Sequence, residues 1–511
     1  MTVSSAASSL HLQEHFYHQL HRLSELLYKL IVLRKRNIHL PRSLGLTTLS
    51  SKNTTLSLKM QPGTNWQPLD IAVIGGGIGG LAVSIALRRD GHKVTIYERA
   101  DFAGEVGASI SCAANGMKWL SEWGVDIAKG DGVYLRKLIN RDWATGEPVS
   151  VYDLGDYEEK WGHPYYMFHR QDMHKMLMDT AMQEEGKGTP VKLIVNHKCQ
   201  DINTETGEVT FHNGTQVKHD AIIGADGIGS QVRKLIGIQV EKRPADSSCL
   251  HANVDTAEAV KRGYVDYSKN SAIEYWGGHH SWNKIVLSPC NGGSLLSYYC
   301  FFPREKGDYS EQKWDADADV SELLAPYPDL DPNGVHKHLE IGKEIRPWRL
   351  WVHEPYSHWQ KGVACIMGDA AHPMMPDQSQ GACMALEDSA ALGLVFSKEF
   401  YAGSVPEALK LYEKVRHWRA SRVQAASARA RENIHERIGF TDNTDNPLYK
   451  VKDEKNKLTI AEMNSYDMRE DVKSKWPSAW PQSRSPVRKP SGLDAEVAPQ
   501  TNGVNGSEIA H

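Results

Sequence analysis

Three glycines and one acid in residues 71–99 have the spacing of a dinucleotide-binding turn. Gly75, Gly77 and Gly80 directly follow a short apolar run. We predict that Gly75 allows the tight turn, that Gly77 leaves room for a pyrophosphate, and that Gly80 lets a helix pack closely on the strand. Glu98 lies 18 residues after Gly80, where an acid can accept hydrogen bonds from ribose hydroxyls.

The same segment predicts the elements that must position these residues. Residues 71–74 suit a buried parallel strand, residues 81–87 carry apolar positions of a helix, and residues 94–97 suit a second strand. The phosphates would bind at the positive N-terminus of the helix. A plain glycine-rich loop is the alternative, but strand, helix, second strand and acid together favour dinucleotide binding.

Two further segments place an acid where an apolar strand ends. In residues 221–233 the strand runs into Asp226, and in residues 363–392 it runs into Gly368 and Asp369, with Gly381 opening a helix. The carboxylate of Asp369 is suited to accept a hydrogen bond from a ribityl hydroxyl. Taken alone, either motif is better explained as a turn with an Asp cap.

The order of the three motifs resembles the flavoprotein aromatic hydroxylases, in particular the single-component salicylate hydroxylase-like branch. The resemblance covers roughly residues 70–438 and includes EVGASISCAANG at 105–116 and HRQDMH at 169–174. It implies an α/β fold, with a Rossmann-like FAD-binding domain, an inserted β-sheet substrate domain and a C-terminal helical segment.

The resemblance also implies which residues bind the cofactor. The residues expected at FAD are Gly75, Gly77, Gly80, Glu98, Gly107, Ala108, Ser109, Arg170, Gly368, Asp369, Gly381 and Ala382. Asp226 would support the use of both FAD and the pyridine nucleotide. This chain departs from many relatives at Ser109, where they carry glycine, and at His251, where several carry arginine.

The implied reaction consumes NAD(P)H and O2. NAD(P)H reduces FAD, a flavin C4a-hydroperoxide forms, and a phenolic acid or phenolic polyketide is hydroxylated, with or without loss of its carboxylate. The chain has one convincing GxGxxG motif, so we expect NAD(P)H to bind transiently as a co-substrate. FAD carries the difficult chemistry, and the protein must supply a dry pocket and a group that helps remove the phenolic proton.

Two residues of the predicted substrate sheet are candidates for catalysis. His251 and Tyr275 could bind a carboxylate or a phenolic oxygen, although a lone His or Tyr in a strand is more often a packing residue. His372 is expected to have a structural role near the flavin rather than to bind a metal. Three tryptophans could line an aromatic pocket or pack in the core: Trp276, Trp348 and Trp351.

Two alternatives remain beside the hydroxylase. One is a flavin-binding protein without turnover. The other is a flavin halogenase, but residues 347–351 lack that family's Trp-x-Trp-x-Ile-Pro signature, and the sequence singles out no lysine to carry a hypohalite.

Composition sets the remaining expectations. The 511 residues carry a net charge of −4, and the seven scattered cysteines include no CxxC pair, so we expect no nucleic-acid partner, no disulfide framework and no metal site. No apolar stretch approaches the length of a spanning helix, and we expect a cytoplasmic protein, or a mitochondrial one if residues 1–59 are a presequence. Oligomeric state is not predicted.

The predicted organisation has five parts. They are an N-terminal extension at 1–59, a first part of the FAD-binding domain at 60–245, a substrate domain at 246–350, a second part with the C-terminal helix at 351–440, and a polar disordered tail at 441–511.

Overall fold

A computed structural model describes residues 66–101, 107–241, 243–279, 281–309, 316–442 and 456–476. The strands are β1 Asp70–Ile74, β2 Lys93–Tyr97, β3 Ser109–Cys112, β4 Val133–Tyr134, β5 Lys137–Arg141, β6 Pro148–Asp153, β7 Tyr166–His169, β8 Lys192–Ile194, β9 Cys199–Ile202, β10 Glu208–Phe211, β11 Gln216–Lys218, β12 Ala221–Gly224, β13 Arg243–Pro244, β14 Ser247–Asp255, β15 Ala272–Gly277, β16 Lys284–Cys290, β17 Leu295–Pro303, β18 Lys343–Pro347, β19 Trp351–Val352, β20 Gln360–Lys361 and β21 Ala364–Ile366.

The α-helices of these residues are α1 Ile78–Arg89, α2 Ala114–Trp123, α3 Tyr157–Trp161, α4 Arg170–Met182, α5 Gln231–Leu235, α6 Thr256–Lys261, α7 Val320–Leu324, α8 Val335–Leu339, α9 Gly381–Phe396, α10 Val405–Glu432, α11 Ile460–Asn464 and α12 Met468–Lys475.

The sheet that carries the glycine turn has six strands in the order β20-β21-β12-β1-β2-β8. Its strands pair in parallel except for the short edge strand β20. Residues 71–74 of β1 are buried, as expected for a central strand of a parallel sheet covered on both faces. The carboxyl ends of β1, β2, β12 and β21 therefore meet at one edge, where ligands bind in open α/β sheets.

A second large sheet has seven strands in the order β18-β14-β17-β16-β15-β5-β6. Five of its strands come from residues 247–347, within the predicted substrate domain. The other two, β5 and β6, come from residues 137–153, and β5 pairs in parallel with β15. The predicted substrate domain at 246–350 thus supplies five strands of this sheet, and an earlier segment of the chain supplies the other two.

A smaller sheet has the strand order β3-β7-β4. The chain passes through its strands between β2 and β5, and again between β6 and β8, where it crosses from one large sheet to the other. Ser109 at the start of β3 pairs with His169 at the end of β7. Arg170 follows immediately as the first residue of α4. Two residues expected at the cofactor, Ser109 and Arg170, are thus brought together by one antiparallel pair of strands.

The chain beyond 441 is not all a polar tail. The two short helices α11 and α12 bury Met463, Met468 and Val472 in the main core. Arg419 of α10 also donates a hydrogen bond to the Met463 carbonyl at 2.9 Å. The prediction of disorder is wrong for residues 456–476, because these apolar side chains are spaced to face the core. Predictions for residues 1–59 and 477–511 lie outside the described residues.

Across the described ranges, no helix combines the length and the hydropathy that crossing a bilayer requires.

Candidate active site

One cavity of about 1310 Å³ runs from the glycine turn to the face of the seven-stranded sheet. One end is lined by the β1–α1 turn, and the other by residues of β15, β16 and β17. The first turns of α1 and α9 both reach this cavity, and neither carries an acidic side chain. Their backbone N–H groups are therefore available to an anionic or electron-rich ligand.

The three glycines of the turn have the separate physical roles that their spacing predicted. Gly75 has φ +107°, a conformation that favours glycine, and an added Cβ would lie 2.5 Å from the Ala225 carbonyl oxygen. A Cβ on Gly77 would meet nothing within 4 Å, so this position is open to the cavity. A Cβ on Gly80 would lie 2.0 Å from the Gly75 carbonyl oxygen, so only glycine lets α1 pack this closely. This cradle fits a dinucleotide such as FAD.

Glu98 lies beside that cradle at the end of β2. Its Oε2 accepts a hydrogen bond from the Gly76 N–H, and its Oε1 accepts one from the Ala100 N–H, both at 2.8 Å. Each carboxylate oxygen has a further lone pair. Glu98 lines the cavity, so a ribose hydroxyl can donate to it while the backbone amides hold it in place.

Asp226 lines the cavity and also caps a helix. Its carboxylate accepts hydrogen bonds from the Ser230 hydroxyl at 2.5 Å and from the backbone N–H groups of Gln231 at 2.7 Å and Val232 at 3.1 Å. This is the Asp-cap alternative raised by the sequence. The structure places Asp226 at the cavity wall, and its direct bonds are to the N-terminus of α5.

Asp369 follows β21 at the same edge of the sheet, and its side chain is open to the cavity. Gly368 has φ +55° and donates its N–H to the Asp388 carboxylate at 2.9 Å. Gly381 and Ala382, the first residues of α9, line the cavity next to this turn. Asp369 and the start of α9 thus open onto the same cavity as the glycine turn.

A buried ionic network stabilises the turn at Gly368. His372 Nε2 lies 2.6 Å from Asp388 Oδ2, and Arg416 Nε donates to the other oxygen of that carboxylate at 2.8 Å. Burial would raise the pKa of Asp388, but the charges of His372 and Arg416 outweigh it and lower this pKa to about 2. The structural role predicted for His372 agrees with this position, since its bond goes to the carboxylate that holds Gly368.

The same arginine joins a second carboxylate to the network. Arg416 and Arg419 both donate to Glu387, at 2.6 Å and 2.8 Å, and Asn115 donates to it at 2.8 Å. Burial would raise the pKa of Glu387, but the two guanidinium groups outweigh it and lower this pKa to about 2. The α9–α10 interface is therefore held by fully buried, mutually paired charges.

The segment 107–109 behaves differently at each of its three residues. Ser109 lines the cavity, whereas Gly107 and Ala108 do not; the Gly107 carbonyl accepts a hydrogen bond from the Asn253 amide at 3.0 Å. The Ala108 carbonyl accepts the Arg170 N–H at 2.8 Å, and the Ser109 carbonyl accepts the Tyr299 hydroxyl at 2.9 Å. This segment therefore links Arg170, which lines the cavity, to the seven-stranded sheet.

Tyr275 lies at the sheet end of the cavity. Only 2% of its surface is exposed, and its hydroxyl makes no hydrogen bond of normal geometry with the described residues. The Arg437 guanidinium lies 5.0 Å from the centre of its ring, and Phe440 packs edge-on against it. Burial raises the pKa of Tyr275, so its hydroxyl stays protonated and remains a hydrogen-bond donor.

The three candidate tryptophans separate into two groups. Trp276 is fully buried in the core of the sheet and does not reach the cavity, as the core-packing alternative predicted. Trp348 and Trp351 are half-buried and line the cavity. They supply flat apolar surface near the sheet end, where an aromatic ligand would pack.

His251 does not reach the cavity. It is 1% exposed, its Nε2 lies 2.8 Å from the Ser297 hydroxyl, and its ring packs against Tyr299 and Trp348. Burial, with smaller effects from neighbouring positive groups, lowers its pKa to about 3, so the ring stays neutral. The structure therefore does not bring His251 to the cavity; its ring packs against Tyr299, which lines the cavity.

Sequence reasoning missed a buried ion pair that does line the cavity, Lys284 with Asp377. The two residues are 93 positions apart, so no local pattern connects them. The signal available in the sequence was a single lysine at the start of the apolar segment 284–290. Such a lysine in a buried strand requires an acidic partner.

Comparison with known proteins agrees with this geometry. A model of a family described as an FAD binding domain matches residues 68–427. A hispidin-3-hydroxylase from Neonothopanus nambi is 30% identical over 374 residues, covering 70% of this chain and 87% of the relative. A 3-hydroxybenzoate 6-hydroxylase from Polaromonas naphthalenivorans (strain CJ2) is 30% identical and covers 75% of this chain and 92% of the relative.

Solved structures share the fold. The tetrameric form of 2-methyl-3-hydroxypyridine-5-carboxylic acid oxygenase has a TM-score of 0.62 at 23% identity, covering 79% of this chain and 97% of that chain. CtdE in complex with FAD and a substrate has a TM-score of 0.66 at 19% identity, covering 80% and 98%.

The chain therefore belongs to the FAD binding domain family. It is an FAD-dependent enzyme of the aromatic hydroxylase class, and the α/β fold and the cofactor predicted from its three motifs are confirmed.

Proposed function

We propose that this enzyme uses NAD(P)H and O2 to ortho-hydroxylate a phenolic acid or a phenolic polyketide, with or without loss of the carboxylate. The observation that carries the proposal is the single cavity that joins the dinucleotide cradle to the aromatic wall of the seven-stranded sheet. A hydroxylase needs these two sites in contact, because the activated oxygen must reach the ring without passing through water.

The chain's own residues supply binding, orientation and exclusion of water. Gly77, Glu98 and Asp369 would hold the nucleotide along one side of the cavity. Trp348 and Phe301 would pack against the aromatic ring, and the Tyr275 hydroxyl would donate a hydrogen bond to an oxygen of the substrate. When bound, FAD supplies hydride transfer from NAD(P)H and the activation of dioxygen.

The names of the relatives support an aromatic substrate, but each relative is named for a different one. One relative is named for hispidin, one for 3-hydroxybenzoate and one, from Pseudomonas fluorescens, for 6-hydroxynicotinate. The last two names denote aromatic rings that carry a hydroxyl group, which agrees with a phenolic substrate for this chain. The alternatives of a flavin protein without turnover and of a halogenase are outcomes of the same experiment.

The test is NAD(P)H oxidation by the purified, FAD-loaded protein with salicylate-like acids and phenolic polyketides, under ¹⁸O2 and in buffer containing chloride or bromide. We expect at least one aromatic compound to stimulate NAD(P)H oxidation and to gain one oxygen from O2, detected by mass spectrometry. Loss of carbon dioxide in the same spectrum identifies decarboxylation.

Two substitutions serve as a matched pair. Asp369→Ala should lower FAD binding and product formation together, whereas Asp329→Ala, at an exposed aspartate, should change neither. Flavin reduction that yields only hydrogen peroxide across the panel would contradict the hydroxylase and favour the protein without turnover. A halogenated product would favour the halogenase.

A further inference from the structure

A buried charged cluster lies at the sheet end of the cavity, and none of its members is among the residues predicted to bind FAD. Lys284, at the start of β16, is 1% exposed. It donates hydrogen bonds to Asp377 Oδ1 and, at 3.3 Å, to the Ala430 carbonyl. Arg431, at the end of α10, lies 3.4 Å from the same carboxylate oxygen. Lys284 and Asp377 both line the cavity.

The cluster carries more positive than negative charge. The charged groups that act on Lys284 are Arg431, Asp377 and Arg437. Two cations, Lys284 and Arg431, therefore contact one buried carboxylate, and Arg437 adds a weaker positive field at Lys284. Burial, reinforced by Arg431 and partly offset by Asp377, lowers the pKa of Lys284 to about 8. A negative charge brought into the cavity next to Lys284 would be stabilised, because the low local dielectric strengthens its attraction to this excess.

One atom of the cluster is left without a hydrogen-bond partner. Asp377 Oδ2 is buried and accepts no hydrogen bond from the described residues, while Oδ1 accepts from Lys284 and Arg431. An unpaired carboxylate oxygen at a cavity wall costs free energy unless a ligand donates to it. A cation and an acceptor without a described partner thus lie side by side, both almost wholly buried against the cavity.

A phenolic oxygen matches both groups. When neutral it can donate its proton to Asp377 Oδ2, and when ionised it can accept from the Lys284 ammonium. A substrate carboxylate can accept from Lys284 but has no proton to donate to Asp377 Oδ2 at neutral pH, so it would satisfy only one of the two groups. Aromatic surface for the attached ring is present, since Phe301 lines the cavity with its ring centre 5.4 Å from Lys284 Nζ.

We propose that the Lys284–Asp377 pair is the subsite for the phenolic oxygen of the aromatic substrate. The pair acts as a positioning and specificity element: Asp377 selects the neutral hydroxyl, and Lys284 stabilises the oxygen once its proton has left to solvent. This assignment rests on the proposed hydroxylase, since it identifies how the substrate of that reaction is held.

The test uses 4-nitrophenol, whose ionised form is yellow, and 4-nitroanisole, which has the same ring but no ionisable oxygen. Binding to the FAD-loaded protein is followed from the flavin spectrum and the nitrophenolate absorbance, without NAD(P)H. In the native protein we expect the bound phenol to ionise at a lower pH than the free phenol. Lys284→Met should weaken binding of the ionised probe at least tenfold and change binding of nitroanisole less than twofold.

Three more variants keep the test decisive. Lys284→Arg retains the charge and should retain the preference for the ionised probe. Asp377→Asn should weaken binding of the neutral phenol at low pH without weakening that of the ionised form. Lys343→Met, at an exposed lysine of β18 in the same sheet, should change neither.

The proposal is overturned if the native protein does not prefer nitrophenolate to nitroanisole. It is also overturned if Lys284→Met leaves nitrophenolate binding unchanged or weakens both probes equally, because the pair would then only support the wall. These results are separate from the proposed function. Failure to insert oxygen leaves the binding data intact, and oxygen insertion that is indifferent to Lys284 removes the subsite but not the hydroxylase.

Discussion

Gly77→Ala should separate cofactor binding from folding. Gly77 is the N-cap of α1, with φ −73° and ψ −175°, which an alanine adopts without strain. Its added Cβ meets no atom within 4 Å and projects into open space at the cradle. The folded chain therefore accepts the methyl group, and the pyrophosphate of FAD must move away from it.

The expected magnitudes follow from these contacts. Displacing the pyrophosphate weakens at least one charge-assisted hydrogen bond from the start of α1. That costs about 1.5 to 3 kcal/mol, equivalent to a roughly 10- to 150-fold increase in Kd. The cost to the unfolding free energy of the FAD-free protein is below about 1 kcal/mol, since alanine is only a somewhat poorer N-cap than glycine.

Gly80→Ala is the matched control, because it adds the same methyl group three residues later. There the Cβ would lie 2.0 Å from the Gly75 carbonyl oxygen, so the turn or the helix must shift. Overpacking of this kind costs about 1 to 3 kcal/mol, of which the higher helix propensity of alanine offsets about 1 kcal/mol. Gly80→Ala should therefore lower the unfolding free energy measured without FAD.

The assay pairs FAD titration by flavin fluorescence with urea unfolding of the FAD-free protein. Wild-type FAD affinity in Gly77→Ala would refute the argument, because the pyrophosphate would then not approach the backbone at this glycine. Equal loss of stability in the two variants would refute the distinction between an open and a packed position.

Three further outcomes are expected. Arg416→Met should lower the unfolding free energy by about 3 to 5 kcal/mol in urea, because two buried carboxylates lose their shared partner; a loss below 1 kcal/mol would contradict the network. His92 accepts the Leu69 N–H at Nδ1 and contacts the Phe396 carbonyl through Nε2, so its neutral form is held, and burial lowers its pKa to about 4. The histidine of the unfolded chain binds a proton near pH 6.5, so the unfolding free energy should fall as the pH falls from about 6.5 towards 4. At pH 5 the loss from this residue is about 2 kcal/mol. His92→Gln should reduce this pH dependence, measured by urea unfolding at several pH values. Tyr275→Phe should lower oxygen insertion at least tenfold and leave FAD affinity unchanged; unaltered coupling of NAD(P)H oxidation to product would remove Tyr275 from the site.

Short sequence patterns are sufficient to predict the geometry of the cofactor site. The glycines at 75, 77 and 80 lie in one turn, so their spacing alone fixes the relation between strand, helix and cavity. The position of Asp369 is also predictable, because this residue follows a strand whose carboxyl end must lie at the same edge of the sheet. In each case a short segment determines the geometry.

The substrate side depends on contacts that a local pattern does not encode. His251 and Tyr275 both lie in buried strands, and only the packing of neighbouring side chains decides that Tyr275 reaches the cavity while His251 does not. Sequence spacing cannot reveal the Lys284–Asp377 pair, because Lys284 lies on β16 and Asp377 in a short 3-10 turn before α9. Helices α11 and α12 were missed since their apolar residues are few and separated by charged ones.

The parallel pairing of β5 with β15 has a consequence for engineering new specificity. Modular exchange of residues 246–350 between relatives would carry five strands but leave the two at 137–153 behind. The transplanted edge strand would then meet a foreign neighbour whose side chains were matched to another partner. A chimaera that moves both segments together should express as a folded protein, whereas one that moves the later segment alone should not. The sheet behind this pocket is therefore encoded by two separate segments of the gene, and both must be exchanged together.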